Sequence, residues 1–115
     1  MPIEKRTRVE IFIPLRSDLT AYQSITEFLA EEFAFTRGGS TLTVPFSGLY
    51  ASDTQVGIIH DAIRILFCDF DFDLDNPKHK SELIDYLESV RHFLLHTLEE
   101  EEVWIVYHSV TRVLS

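Results

Sequence analysis

A chain of 115 residues carrying a formal net charge of −9 is long enough for one domain and too short for two. Ten Lys and Arg against nineteen Asp and Glu leave no concentrated basic surface for phosphates, which argues against a nucleic-acid partner. Cys68 is the only cysteine, so no internal disulfide forms, and no apolar run approaches the ~20 residues that span a bilayer.

Residues 1–115 therefore read as a single folding unit, without repeats or a linker. The charged start, Met1-Pro2-Ile3-Glu4-Lys5-Arg6, does not lead into a signal-peptide core, so a cytoplasmic location and no membrane partner are expected. Lys5, Arg6 and Arg8 are bunched here and read as a solvated strand rather than a binding arm.

Alternation over residues 8–15 predicts a first strand, with Val9, Ile11, Ile13 and Leu15 on one face and Glu10 and Phe12 on the other. Pro14 suits a strand end. Ser17 or Asp18 is placed to cap a helix whose stripe is Tyr22, Ile25, Leu29 and Phe33, and Gly38-Gly39 is placed to end it.

A second strand follows from Thr41, held to a sheet edge by Pro45, and residues 48–57 read as a loop or irregular hairpin. Residues 60–72 form the strongest strand. They are apolar on both faces, as in a central strand, with Cys68 reading as a small buried hydrophobe. Asn76-Pro77 opens a second helix with the stripe Leu83, Leu87, Val90, Leu94 and Leu98, and residues 103–110 supply the last strand.

The order is βαββαβ. The expected fold is α+β, a ferredoxin-like sandwich with a four-stranded antiparallel sheet and two helices on one face. Helices cover only one side of such a sheet, yet both faces of these strands are apolar. The chain should therefore meet copies of itself through the sheet, as a homodimer or homotrimer.

Asp69, Asp71, Asp73 and Asp75 alternate with Phe70, Phe72 and Leu74, which on a strand puts the carboxylates on one face. From Asp71 onward, Asp71, Asp73, Asp75 and Glu82 occupy the oxygen-ligand positions of an EF-hand loop. Asn76 replaces the turn glycine, Lys78 the usual apolar residue, and a strand rather than a helix precedes. The plainer reading is a charged strand exit with a helix cap; the alternative is a weak Ca²⁺ or Mg²⁺ site. No other cofactor is expected.

His92 and His96 share a helix face with Asp85, Glu88 and Glu99, as metal ligands would, although any solvated helix has such a face. His60-Asp61 and His108 are candidate acid–base groups without a visible nucleophile. Gly38-Gly39-Ser40-Thr41 leads from a helix into a strand, the reverse of a phosphate cradle.

The segment Arg37-Gly38-Gly39-Ser40-Thr41-Leu42, the later Gly48, and the ending Val103-Trp104-Ile105-Val106 with Val110-Thr111-Arg112-Val113 are placed as in PII-like signalling proteins. In outline the chain resembles that family, and more broadly the small bacterial ferredoxin-like families of unknown function. The resemblance implies the same fold, an oligomer, and a nucleotide triphosphate held at subunit boundaries by glycines and basic residues. Arg112 is the residue that matches a phosphate-binding position. Four glutamates at 99–102 stand where the family has a glycine and a lysine.

The function is not written in these residues. The reading they favour is a non-catalytic, oligomeric ligand-binding or regulatory module, with a small-molecule ligand at a subunit interface. The alternatives are a small ferredoxin-like enzyme with a His/Asp acid–base pair, or an interaction scaffold whose acidic face meets a basic partner.

Overall fold

A computed structural model of the chain describes residues 3–15, 19–37, 39–44, 46–51, 58–98 and 103–114. The elements are β1 (Ile3–Leu15), α1 (Leu19–Arg37), β2 (Thr41–Leu42), β3 (Phe46–Ala51), β4 (Ile58–Phe70), α2 (Pro77–Leu98) and β5 (Trp104–Val113). β1 pairs with β4 on one side and β5 on the other, and β2 and β3 both pair with β4, all antiparallel.

The short β2 and β3 share one outer position, so the sheet is four strands wide in the ferredoxin-like order. Both lie at the edge, as expected of the second strand; Pro45 itself lies outside the described residues. No helix of the described residues is long and apolar enough to cross a membrane.

The helices pack on one face. Their stripes (Tyr22, Leu29 and Phe33 from α1; Leu83, Leu87, Val90, Leu94 and Leu98 from α2) are buried against Val9, Ile11, Ile13, Leu66, Cys68 and Phe70 of the sheet. Asn76 caps α2: its Oδ1 accepts the amides of Lys78 at 3.0 Å and His79 at 3.3 Å, satisfying N–H groups that the first turn leaves unpaired. α1 ends at Arg37, as the glycine pair implies. The residues expected to cap its start, Ser17 and Asp18, and the first glycine, Gly38, lie outside the described residues.

Several boundaries differ from the sequence reading: β1 starts at Ile3 rather than at residue 8, β5 runs to Val113 rather than to 110, and the strand from Thr41 is two, β2 and β3. The central strand stops at Phe70 rather than running to 72, because the backbone beyond it takes other partners. Asp73 N–H donates to His79 Nδ1 at 3.2 Å and Asp75 N–H to Asp73 Oδ1 at 3.0 Å, forming a turn into α2. The alternating carboxylates thus do not share one strand face; only Asp69 is on β4.

Gly48 lies within β3, opposite Asp61, so of the two readings of residues 48–57, loop or irregular hairpin, the antiparallel β3–β4 pairing fits the hairpin. Its neighbours Phe46, Leu49 and Tyr50 extend the pairing along β4, and a glycine is tolerated within such an edge strand. Residues 52–57 lie outside the described residues.

Candidate functional site

Cross-strand partners in an antiparallel sheet point to the same side. Arg8 faces Asp69 on β4 and His108 on β5; Glu10 faces Phe67 and Val106; Phe12 faces Ile65 and Trp104. These rows lie on the side away from the helices, which splits into two halves. One is mainly apolar, with the half-buried Glu10 in it: Phe12, Ile65 and Phe67 are half-buried, while Trp104 is 62% and Val106 39% exposed. Phe12 and Trp104 meet edge to face, 6.4 Å between ring centroids.

The other half is charged. Arg6, Arg8 and Arg112 line a concavity of about 480 Å³ with Asp69, Phe67 and the Gly39-Ser40-Thr41 rim. Arg8 grips Asp69 at two points, Nε to Oδ1 at 2.8 Å and Nη2 to Oδ2 at 3.0 Å. Arg6 donates to Glu4 Oε1 at 2.6 Å and to the Asp69 carbonyl at 2.9 Å. Arg112 makes no hydrogen bond or ion pair with a described residue.

The Arg8 hydrogen bond holds the Asp69 carboxyl below the ordinary carboxylate range, helped by the charges of Arg8, Arg6 and Arg112 and opposed by partial burial. The Arg8 guanidinium is raised in turn by Asp69, and that of Arg6 by its hydrogen bond to Glu4. Each Asp69 oxygen thus accepts one Arg8 N–H, and the guanidinium favours the ionised carboxylate.

Ser40 donates its hydroxyl to the Ala30 carbonyl of α1 at 2.8 Å, so this side chain is engaged by the helix rather than turned to the concavity.

The other sequence candidates are dispersed. Asp71 and Asp75 are exposed and Asp73 half-buried in the turn after β4. Asp73 Oδ1 accepts the Asp75 amide, Asp75 Oδ2 meets Lys5 Nζ at 3.4 Å, and Glu82 is exposed on α2. No three His, Cys, Asp or Glu side chains among the described residues are gathered so as to hold a metal ion.

His92 and His96 are exposed one turn apart on α2, with Asp85 and Glu88 exposed on the same helix; Glu99 lies outside the described residues. Glu88 pairs with Arg91 at 3.2 Å. His108 stands in the Arg8–Asp69 row, whereas His60, opposite Leu49, is nine residues from Asp69 along β4, roughly 30 Å at strand rise. The two histidines do not share a cleft.

The arginine concavity is what the sequence reading missed. The signal was present in the parity of β1, where Arg6 and Arg8 fall on the Phe12 side and Lys5 on the other, but joining them to Asp69 and Arg112 requires the strand register.

No protein-family model matches the chain, and no curated protein matches it in sequence. Among solved structures, CutA from Synechococcus elongatus is similar, with a TM-score of 0.56 and 11% identity, over 96% of this chain and 84% of that one. At that identity the likeness is one of fold. CutA is a PII-like protein of ferredoxin-like fold, so the PII-like outline read from the sequence holds at that level.

Proposed function

We propose that the chain is a cytoplasmic, non-catalytic ligand-binding or regulatory module that works as a homodimer or homotrimer, with subunits meeting through the open face of the sheet. The observation that carries this is the apolar half of that face. Phe12, Ile65, Phe67, Trp104 and Val106 stand together on the side the helices leave uncovered. Large apolar side chains contribute about 1.5–3 kcal/mol each when fully buried, enough together to offset the cost of association. The resemblance in outline to PII-like proteins points the same way.

The ligand in this reading is a small anion, a carboxylate or a phosphate. The arginine concavity adjoins the apolar half on the same face, so subunits that associate there bring the concavity to their boundary. Arg112 supplies a guanidinium that is unpaired among the described residues, while Arg6 and Arg8 are already positioned by Glu4 and Asp69. Light scattering behind a sizing column tests the reading. A mass two or three times the 13.4 kDa protomer at micromolar concentration is expected, and a clean monomer contradicts it.

A further inference from the structure

The outer side of the two helices carries an aromatic patch unrelated to the sheet's open face. Phe28 and Phe35 lie seven residues apart on α1 and so share a face. They are 55% and 89% exposed, and Phe93 of α2 is 40% exposed. Phe28 and Phe93 meet across the helix seam, 6.1 Å between centroids at 45°. The helices run antiparallel, since Tyr22 near the start of α1 donates its hydroxyl to the Leu98 carbonyl at the end of α2. Phe35, two turns beyond Phe28 on the same side of α1, extends the exposed aromatics along that helix.

Carboxylates border this patch. Glu31 and Asp85 are exposed and Glu32 is half-buried, and none of the three makes an ion pair with a described residue. An exposed apolar patch with acidic margins marks an interaction surface, and its charge selects the occupant. A second copy docked here would set these carboxylates against their own kind, and an anionic lipid surface is repelled for the same reason.

We infer that the outer face of α1 and α2 is a docking surface for a basic amphipathic helix of another protein. The apolar residues of that helix lie along Phe28, Phe93 and Phe35, and its Lys or Arg residues reach Glu31, Glu32 and Asp85. A helix laid along a seam between two packed helices presents apolar anchors at i, i+3 or i+4, and i+7, a spacing that an aromatic patch accepts.

The probe is a fluorescein-labelled Leu/Lys peptide of about four helical turns, patterned at the helical period, beside a scrambled peptide of the same composition. Fluorescence anisotropy should report saturable binding of the patterned peptide, and binding about tenfold weaker for the scramble. The charge-neutral double variant Phe28→Ser/Phe93→Ser and the reversal Glu31→Lys/Asp85→Lys should each weaken binding about tenfold or more. All four positions are exposed, and circular dichroism checks folding; if the first pair unfolds, the second carries the test. Trp104→Glu, on the opposite side of the sheet, should leave peptide binding unchanged.

Absence of saturable binding, wild-type affinity in both folded double variants, or loss of binding in folded Trp104→Glu would each overturn the inference. The last result would assign the peptide to the sheet.

Discussion

Arg8 and Asp69 face each other across β1 and β4 and share two hydrogen bonds, of 2.8 and 3.0 Å, on the side of the sheet that no helix covers. The pair does two things at once. It fixes the guanidinium that lines the concavity, and it joins two central strands at the boundary between the charged and apolar halves of that face.

The pair makes stability depend on pH in one direction. The folded-state carboxyl of Asp69 is depressed by its partner, so its contribution is present above the unfolded-state value of about 3.9 and is lost as pH falls through the lower folded value. Both side chains keep about a third or more of their surface in solvent, which limits the effect to about 1 kcal/mol. Urea melts of Asp69→Asn should show that deficit near pH 7, and wild type and variant should converge as pH falls through the depressed folded-state value. A deficit that stays constant down to acid pH would mean that packing, not ionisation, is responsible.

Replacing Asn76 by Ala should cost about 1 kcal/mol, because Lys78 and His79 lose their acceptor at the start of α2. Asn76→Asp keeps an acceptor there and should cost little. Equal losses in the two variants, measured by thermal melts, would show that the side chain caps nothing.

Cys68 should react slowly with a thiol reagent in the native protein. It is 2% exposed, and its thiol donates to the Gly39 carbonyl at 3.3 Å, tying the end of α1 to β4. Fast, complete modification without denaturant would contradict that burial.

The fold should persist in chelator. Asp73 already accepts the Asp75 amide and Asp75 meets Lys5, so a cation bound by Asp71, Asp73, Asp75 and Glu82 competes with Lys5 for charge and is held weakly. Circular dichroism melts in EDTA and in millimolar Ca²⁺ should differ by a few degrees at most, corresponding to about 1 kcal/mol. Loss of structure in EDTA would make the cation a structural requirement.

How much of this the sequence disclosed depends on the range of the interaction. The α2 stripe and the Asn76-Pro77 start are local patterns, and both stand where the spacing puts them. The end of β4 is not local. Residues 69–75 alternate as a strand does, yet what ends the strand is a histidine in the next helix accepting the Asp73 amide. β3 was obscured for a related reason, since Ser47 and Gly48 carry no apolar period and become strand only by pairing with Ala62 and Asp61. The two-sided apolar character of the strands was legible; which set the helices cover was not, and register decides it.

Trp104 is the only tryptophan, and it sits on the apolar half of the open face, 62% exposed in the protomer. Its fluorescence therefore reports directly on whether that face is covered in solution. If subunits meet there, micromolar protein should show blue-shifted emission that resists acrylamide quenching. Dilution to nanomolar concentration, or the variant Phe67→Glu with its circular dichroism intact, should shift the emission red and open it to the quencher. Red-shifted, fully quenchable emission from wild-type protein at micromolar concentration would contradict association through this face.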